Sequence, residues 1–221
     1  MEPVVRNIEN VDWITVLLVI SLAFLVVAKS FFYTRFLNFL ILPFNNKYVF
    51  MYNKKEKFNN IFHISLTLFQ FVNFSLFAYY ALNILIGSDS AKASSAYVFI
   101  LSAFLLFFLI KGILQMGNGL VFNSHRIIGE IIFKKMSYLN HSALVMFVAN
   151  LLLTYVFKDN EILVYVTFFL VFVINAIGWT TILRHHQKIV LNNFFYFILY
   201  LCALEIAPFI IVAGFLKLEA I

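Results

Sequence analysis

The polar positions of this chain are gathered into short clusters, and the apolar positions between them form long runs. A helix that crosses about 30 Å of hydrocarbon needs roughly 17–25 predominantly apolar residues. Stretches without a charged residue run over 13–28, 58–88, 93–110, 136–157 and 162–183, and a sixth, 189–216, is interrupted only by Glu205. This pattern predicts an all-α, polytopic transmembrane helix bundle. Its six spans lie near 11–28, 61–86, 96–116, 138–157, 161–183 and 193–216 and form a single domain over 1–221. The first span is the shortest. Its leader carries Glu2, Glu9 and Asp12 against Arg6 alone. A signal peptide has a basic leader and a small-residue cleavage site, so the first span reads as an uncleaved helix.

Composition narrows the class. The chain is 63% hydrophobic and 12% charged, whereas soluble domains average roughly 45–50% apolar and about 25% charged. An ordinary soluble enzyme and a disordered chain are excluded. A disulfide scaffold is excluded too, because Cys202 has no second cysteine to pair with. The basic residues then set orientation, since cytoplasmic loops of membrane proteins are enriched in Lys and Arg. With the N-terminus outside, the cytoplasmic face receives six basic residues from the first loop, Arg126, Lys134 and Lys135 from the second, and Arg184 and Lys188 from the third. Lys111 lies near the same face, which makes twelve of the sixteen basic residues, against Arg6, Lys92, Lys158 and Lys217 opposite. An N-out, C-out topology follows. It accounts for the positive charge without nucleic acid.

Two connections are too rich to be turns. In segment 31–44, Phe36, Leu37 and Leu40 share helical spacing while Arg35 and Asn38 fall elsewhere, and Pro43 ends the stretch. This predicts an interfacial or re-entrant helix. The following stretch mixes Lys47, Lys54, Lys55 and Lys57 with Tyr48, Phe50 and Tyr52, a composition suited to anionic lipid headgroups. A second interfacial helix is expected over 120–136. Gly117 and Gly119 interrupt the chain before it, Asn123 or Ser124 supplies a cap, and Arg126, Glu130 and Lys134 recur at i, i+4 as an ion-pair ladder. Membrane-surface packing explains both basic segments more simply than recognition of another membrane protein.

The chemistry inside the spans is sparse. Glu205 lies within the last span, and an intramembrane acid defaults to a functional-site hypothesis. Pro208, three residues on, leaves the Leu204 carbonyl without its helical donor. Such a pair suits a cation, a proton or a substrate hydroxyl; a protonated Glu205 bonded to a neighbouring helix is the structural alternative. At 1.5 Å rise per residue, Gln70, Asn73, Asn150, Asn175 and Glu205 fall at one depth on four helices, forming a candidate midplane polar layer. Lys111 is its candidate counter-ion, although a snorkelling lysine explains that position better. Amides also serve simply as interhelical glue. His63 and His141 open the second and fourth spans and are the only candidates for a metal or haem reading, which no paired-His spacing or acid cluster supports. No catalytic motif is present, and no cofactor is expected.

The last span carries a recognisable pattern. Tyr200, Leu201, Cys202, Leu204, Glu205, Ile206 and Pro208 spell Tyr-Leu-Cys-x-Leu-Glu-Ile-x-Pro, which resembles a Bacteroidota family of small polytopic integral membrane proteins of unknown function. The resemblance extends along most of the chain and implies a bacterial inner-membrane location, with no established activity or cofactor. Taken together, these features point to a subunit or assembly partner of a membrane complex. A small transporter or flippase-like carrier with a protonatable Glu205 is the alternative. A membrane enzyme using cytoplasmic-side histidines and Lys111 stands third.

Overall fold

A computed structural model describes residues 12–45, 47–52, 61–86, 94–121 and 125–185. The predicted last span, with Glu205 and the Tyr200-to-Pro208 pattern, lies outside the described residues, as does most of the lysine-rich stretch before the second span. The described residues form seven helices: α1 (Asp12–Phe31), α2 (Tyr33–Leu40), α3 (Lys47–Tyr52), α4 (Ile61–Ile86), α5 (Ser94–Val121), α6 (His125–Tyr155) and α7 (Glu161–His185). Five of them, α1, α4, α5, α6 and α7, are long and apolar enough to cross a membrane. The chain therefore has the build of a multi-pass membrane protein.

The five long helices are not equivalent. α4 packs against α1, α5 and α6, and α6 packs in turn against α7. The apolar windows of α4 and α6 are each 56% buried, against 6% for α5 and 17% for α7. A helix apolar all round is content in lipid, whereas buried polar side chains need protein partners. The polar residues follow that rule: Ser65, Gln70, Asn73 and Ser75 of α4 and Ser137, Asn140, Ser142 and Asn150 of α6 are buried in the bundle.

The structure corrects three local readings. The chain does not break at Gly117 and Gly119; α5 continues through both to Val121. A helical glycine costs about 1 kcal/mol relative to alanine, which an apolar helix of 28 residues can absorb. The second expected interfacial helix, 120–136, is not separate. From His125 it is continuous with the fourth span in the 31-residue α6. Phe133 and Lys134 are both buried, so tertiary packing carries the helix across the expected boundary, and Lys134 is not on a solvated ladder face. Third, α2 buries Arg35, Phe36 and Phe39, while Leu37 and Leu40 remain about 40% exposed. The helix is rotated from the face its aliphatic residues suggested, because Arg35 has a set of aromatic rings to pack on.

Two devices fix the α6–α7 hairpin. The amides of Val156 and Phe157 donate to the Leu152 carbonyl at 2.9 and 2.7 Å, and Asp159 adopts a positive φ of 56°, which Asp tolerates better than most residues. Asn160 then caps α7, its Oδ1 accepting from the Leu163 amide at 3.1 Å. Further along, Gly178 lets α7 approach α6 closely. A Cβ there would lie 2.7 Å from the Tyr138 ring.

Candidate functional site

The amides of the predicted polar layer meet in two seams. Between α4 and α6, Asn150 Nδ2 donates to the Asn73 carbonyl at 3.0 Å and lies 3.4 Å from Asn73 Oδ1. Asn73 Nδ2 is itself bonded to the Phe69 carbonyl at 2.8 Å. One turn on, Thr154 donates to the Asn150 carbonyl at 2.6 Å and is bonded to Tyr80 OH at 2.7 Å. Between α6 and α7, Asn175 Nδ2 donates to Ser142 Oγ at 3.0 Å and to the Val171 carbonyl at 2.8 Å. Lys111 lies on α5 with its ammonium 5.6 Å from the Phe107 ring of its own helix. Glu205 is outside the described residues.

Gln70 differs from the other amides. It is fully buried, yet neither Nε2 nor Oε1 has a hydrogen-bond partner among the described residues. A buried amide left unbonded costs roughly 1–3 kcal/mol, so such groups in a native fold call for an explanation. Similar groups lie in the same half of the bundle. Both side-chain polar atoms of Asn140, Nε2 of His63 and Nδ1 of His141 are likewise buried without a partner there.

This half of the bundle is covered by α2 and α3. Phe39 of α2 is fully buried, with ring centroids 5.7 Å from Tyr48, 6.1 Å from Phe62 and 5.5 Å from His141. Tyr48 of α3 lies nearly parallel to Phe133 of α6 at 6.1 Å. Arg35 is 4% exposed. Its guanidinium carbon is 4.5 Å from the Phe62 ring centre, 4.8 Å from Tyr52 and 5.9 Å from Tyr48. A cation over a ring face is worth about 2 kcal/mol when desolvated. Arg35 therefore ties α2 to α3 and α4, and the two short helices cap one end of the bundle.

The two histidines sit beneath that cap but meet rings, not each other. His63 is edge-on to Phe133 at 4.8 Å and His141 to Phe39 at 5.5 Å; Phe39 and Phe62 lie between them. Among the described residues no group of three or more His, Cys, Asp or Glu is placed to hold a metal ion. Beside His63 is a cavity of about 280 Å³, lined by His63, Ile64, Thr67 and Leu68 of α4 with Phe133 and Met136 of α6. The sequence reading missed Asn140, this cavity and the Arg35 cage. A signal existed for the cage: Phe36, Phe39, Tyr48, Tyr52 and Phe62 flank a single arginine, more rings than a headgroup loop requires.

The fold and the buried polar seams define the class: a polytopic α-helical bundle with five helices of membrane-spanning length and a capped end. The chain belongs to the family described as Domain of unknown function (DUF4271), which matches residues 14–216. No curated protein and no solved structure matches the sequence.

Proposed function

We propose that this chain is a subunit or assembly partner of a membrane complex in the bacterial inner membrane. It has six spans, both termini outside and the capped end facing the cytoplasm. The observation that carries this reading is the pairing of the midplane amides: Asn150 bonds Asn73 and Asn175 bonds Ser142. A carrier needs polar groups free to exchange partners along a water-reachable path, whereas here those amides join helix to helix. Among the described residues the spanning windows of α5 and α7 are 6% and 17% buried, and such apolar faces suit lipid or another membrane protein. The basic segments around the cap fit anionic headgroups. The resemblance to a Bacteroidota membrane family supports the inner-membrane location.

The test is purification of the full-length chain from its native membrane in mild detergent. A partner of fixed stoichiometry supports the reading. A monomer that accumulates normally as Glu205→Gln but loses its cellular phenotype supports the protonatable carrier instead.

A further inference from the structure

The seam between α6 and α7 carries a cation on an indole at its edge. The Lys135 ammonium lies 5.5 Å from the centre of the Trp179 ring, and both residues are half-buried. Behind them the seam is closed: Gly178 lies against the Tyr138 ring, and Tyr138 OH donates to Thr181 Oγ1 at 3.4 Å. Lys134, next to it on α6, is 1% exposed and is opposed by Glu130. Of the two lysines, Lys135 is the one that reaches the surface. Depth follows from length. The α7 span of 24 residues is about 36 Å long, a little more than the roughly 30 Å of hydrocarbon. Trp179 stands five residues short of its Arg184 end, near the edge of the hydrocarbon. Indoles and the ammonium groups of half-buried lysines favour that level.

Toward the bilayer centre the same flank of α7 continues in rings. Phe172 and Phe168 precede Trp179 by seven and eleven residues, a spacing that keeps all three on one side of a helix. Among the described residues these two rings are 71% and 46% exposed. A charge at headgroup depth above an apolar stripe matches an amphiphile with an anionic head and an extended chain. A phosphate oxygen takes a charge-assisted hydrogen bond from an ammonium. A zwitterionic lipid carries its own cation beside that phosphate, whereas an anionic lipid leaves the phosphate for Lys135 to neutralise. We infer that Lys135 and Trp179 hold one anionic phospholipid, its phosphate on the Lys135 ammonium and one acyl chain along Phe172 and Phe168. This contact deepens the headgroup fit proposed for the basic segments, and rests on it, by giving it one defined place. Arg184 provides the contrast. It is exposed and carries the same charge, but five residues past Trp179 it stands about 140° away around α7.

The chain has two tryptophans, Trp13 and Trp179, so Trp13→Phe makes Trp179 a reporter of its own surroundings. The full-length Trp13→Phe chain is placed in nanodiscs of equal phosphatidylglycerol and phosphatidylcholine, with brominated chains on one lipid or the other. Bromine quenches an indole only at contact range, so the two samples give the relative occupancy beside Trp179. The expected preference for phosphatidylglycerol is about fivefold, equivalent to the ~1 kcal/mol of one lysine at an anionic surface. Lys135→Gln brings the two lipids to within about twofold of each other, while Lys135→Arg and Arg184→Gln keep most of the preference. Equal loss of preference in Lys135→Gln and Arg184→Gln overturns the site and leaves a diffuse headgroup attraction in place. A preference unchanged in Lys135→Gln also overturns the site. Equal quenching by the two lipids in the starting chain overturns both the site and the headgroup fit. No quenching by either shows protein over Trp179 and overturns the site alone. If Trp13→Phe fails to fold, native mass spectrometry of the parent and Lys135→Gln chains counts the phosphatidylglycerol retained. One lipid fewer is expected in Lys135→Gln, and an equal count overturns the site.

Discussion

The two halves of the bundle differ in how fully their buried polar groups are paired. In the half away from the α2–α3 cap, polar side chains are paired across helices. Asn73 pairs with Asn150, Tyr80 with Thr154, Ser75 with Tyr97 and Thr15 with Tyr155. Trp13, Tyr79 and Tyr97 close that end as an aromatic cluster, the kind of belt found where a span meets the interface. Asn83 Oδ1 and Asn150 Oδ1 are the exceptions there. In the capped half Ser65 bonds the Phe24 carbonyl and Tyr138 bonds Thr181, but both amide atoms of Gln70 and of Asn140, and one nitrogen each of His63 and His141, are buried with no hydrogen-bond partner among the described residues. Polar residues kept for folding alone tend to be satisfied, and buried groups left unpaired mark places where another requirement competes with stability. The far half is built to hold the bundle together.

Substitutions can break or sharpen this contrast. The largest expected effect is at the cap itself. Arg35→Ala removes the cation from three rings and should lower stability by about 3 kcal/mol. It should also make a cysteine at the fully buried Leu42 reactive to a water-soluble maleimide; protection of that cysteine in Arg35→Ala contradicts the cap assignment. Next is Gly178→Ala, where the added Cβ meets the Tyr138 ring at 2.7 Å. A loss of about 2 kcal/mol by reversible detergent unfolding is expected, largely recovered when Tyr138→Ala is combined with it. In the paired half, Asn150→Leu should cost about 1–2 kcal/mol, because it strips the interhelical bond from the Asn73 carbonyl. Asn175→Leu, at a part-buried site, should cost less, about 0.6 kcal/mol, as such bonds commonly do between membrane helices.

How much of this was readable in the sequence follows from what each feature depends on. The spans were legible because crossing hydrocarbon is a demand on length and charge that a single stretch meets by itself. α1, α4 and α7 accordingly fall within a few residues of their predicted ranges. The segment 120–136 was misjudged because its basic residues look solvated, while Lys134 is in fact buried beside Phe133. Which helices stand at the centre follows their polar content: the spanning window of α4 has a mean hydropathy of 1.5 and is 56% buried, that of α5 2.4 and 6%. The midplane amides could be placed at one depth by counting residues. Their pairing, and the absence of pairing at Gln70, depends on helix rotation, which the sequence does not state. The cap is the extreme case, because Arg35 becomes a buried residue only once α3 and α4 bring their rings to it.

If the polar groups of the two halves have different roles, near-isosteric leucines placed in each half separate them. Unfolding free energies of Gln70→Leu and Asn150→Leu are measured in the same mild detergent against the parent chain. Opposite signs are expected. Gln70→Leu removes an amide with no partner among the described residues and should match or exceed the parent by up to about 1 kcal/mol, while Asn150→Leu falls below it by about 1–2 kcal/mol. Equal destabilisation by the two would contradict a difference in role, and would make Gln70 as much a structural residue as Asn150.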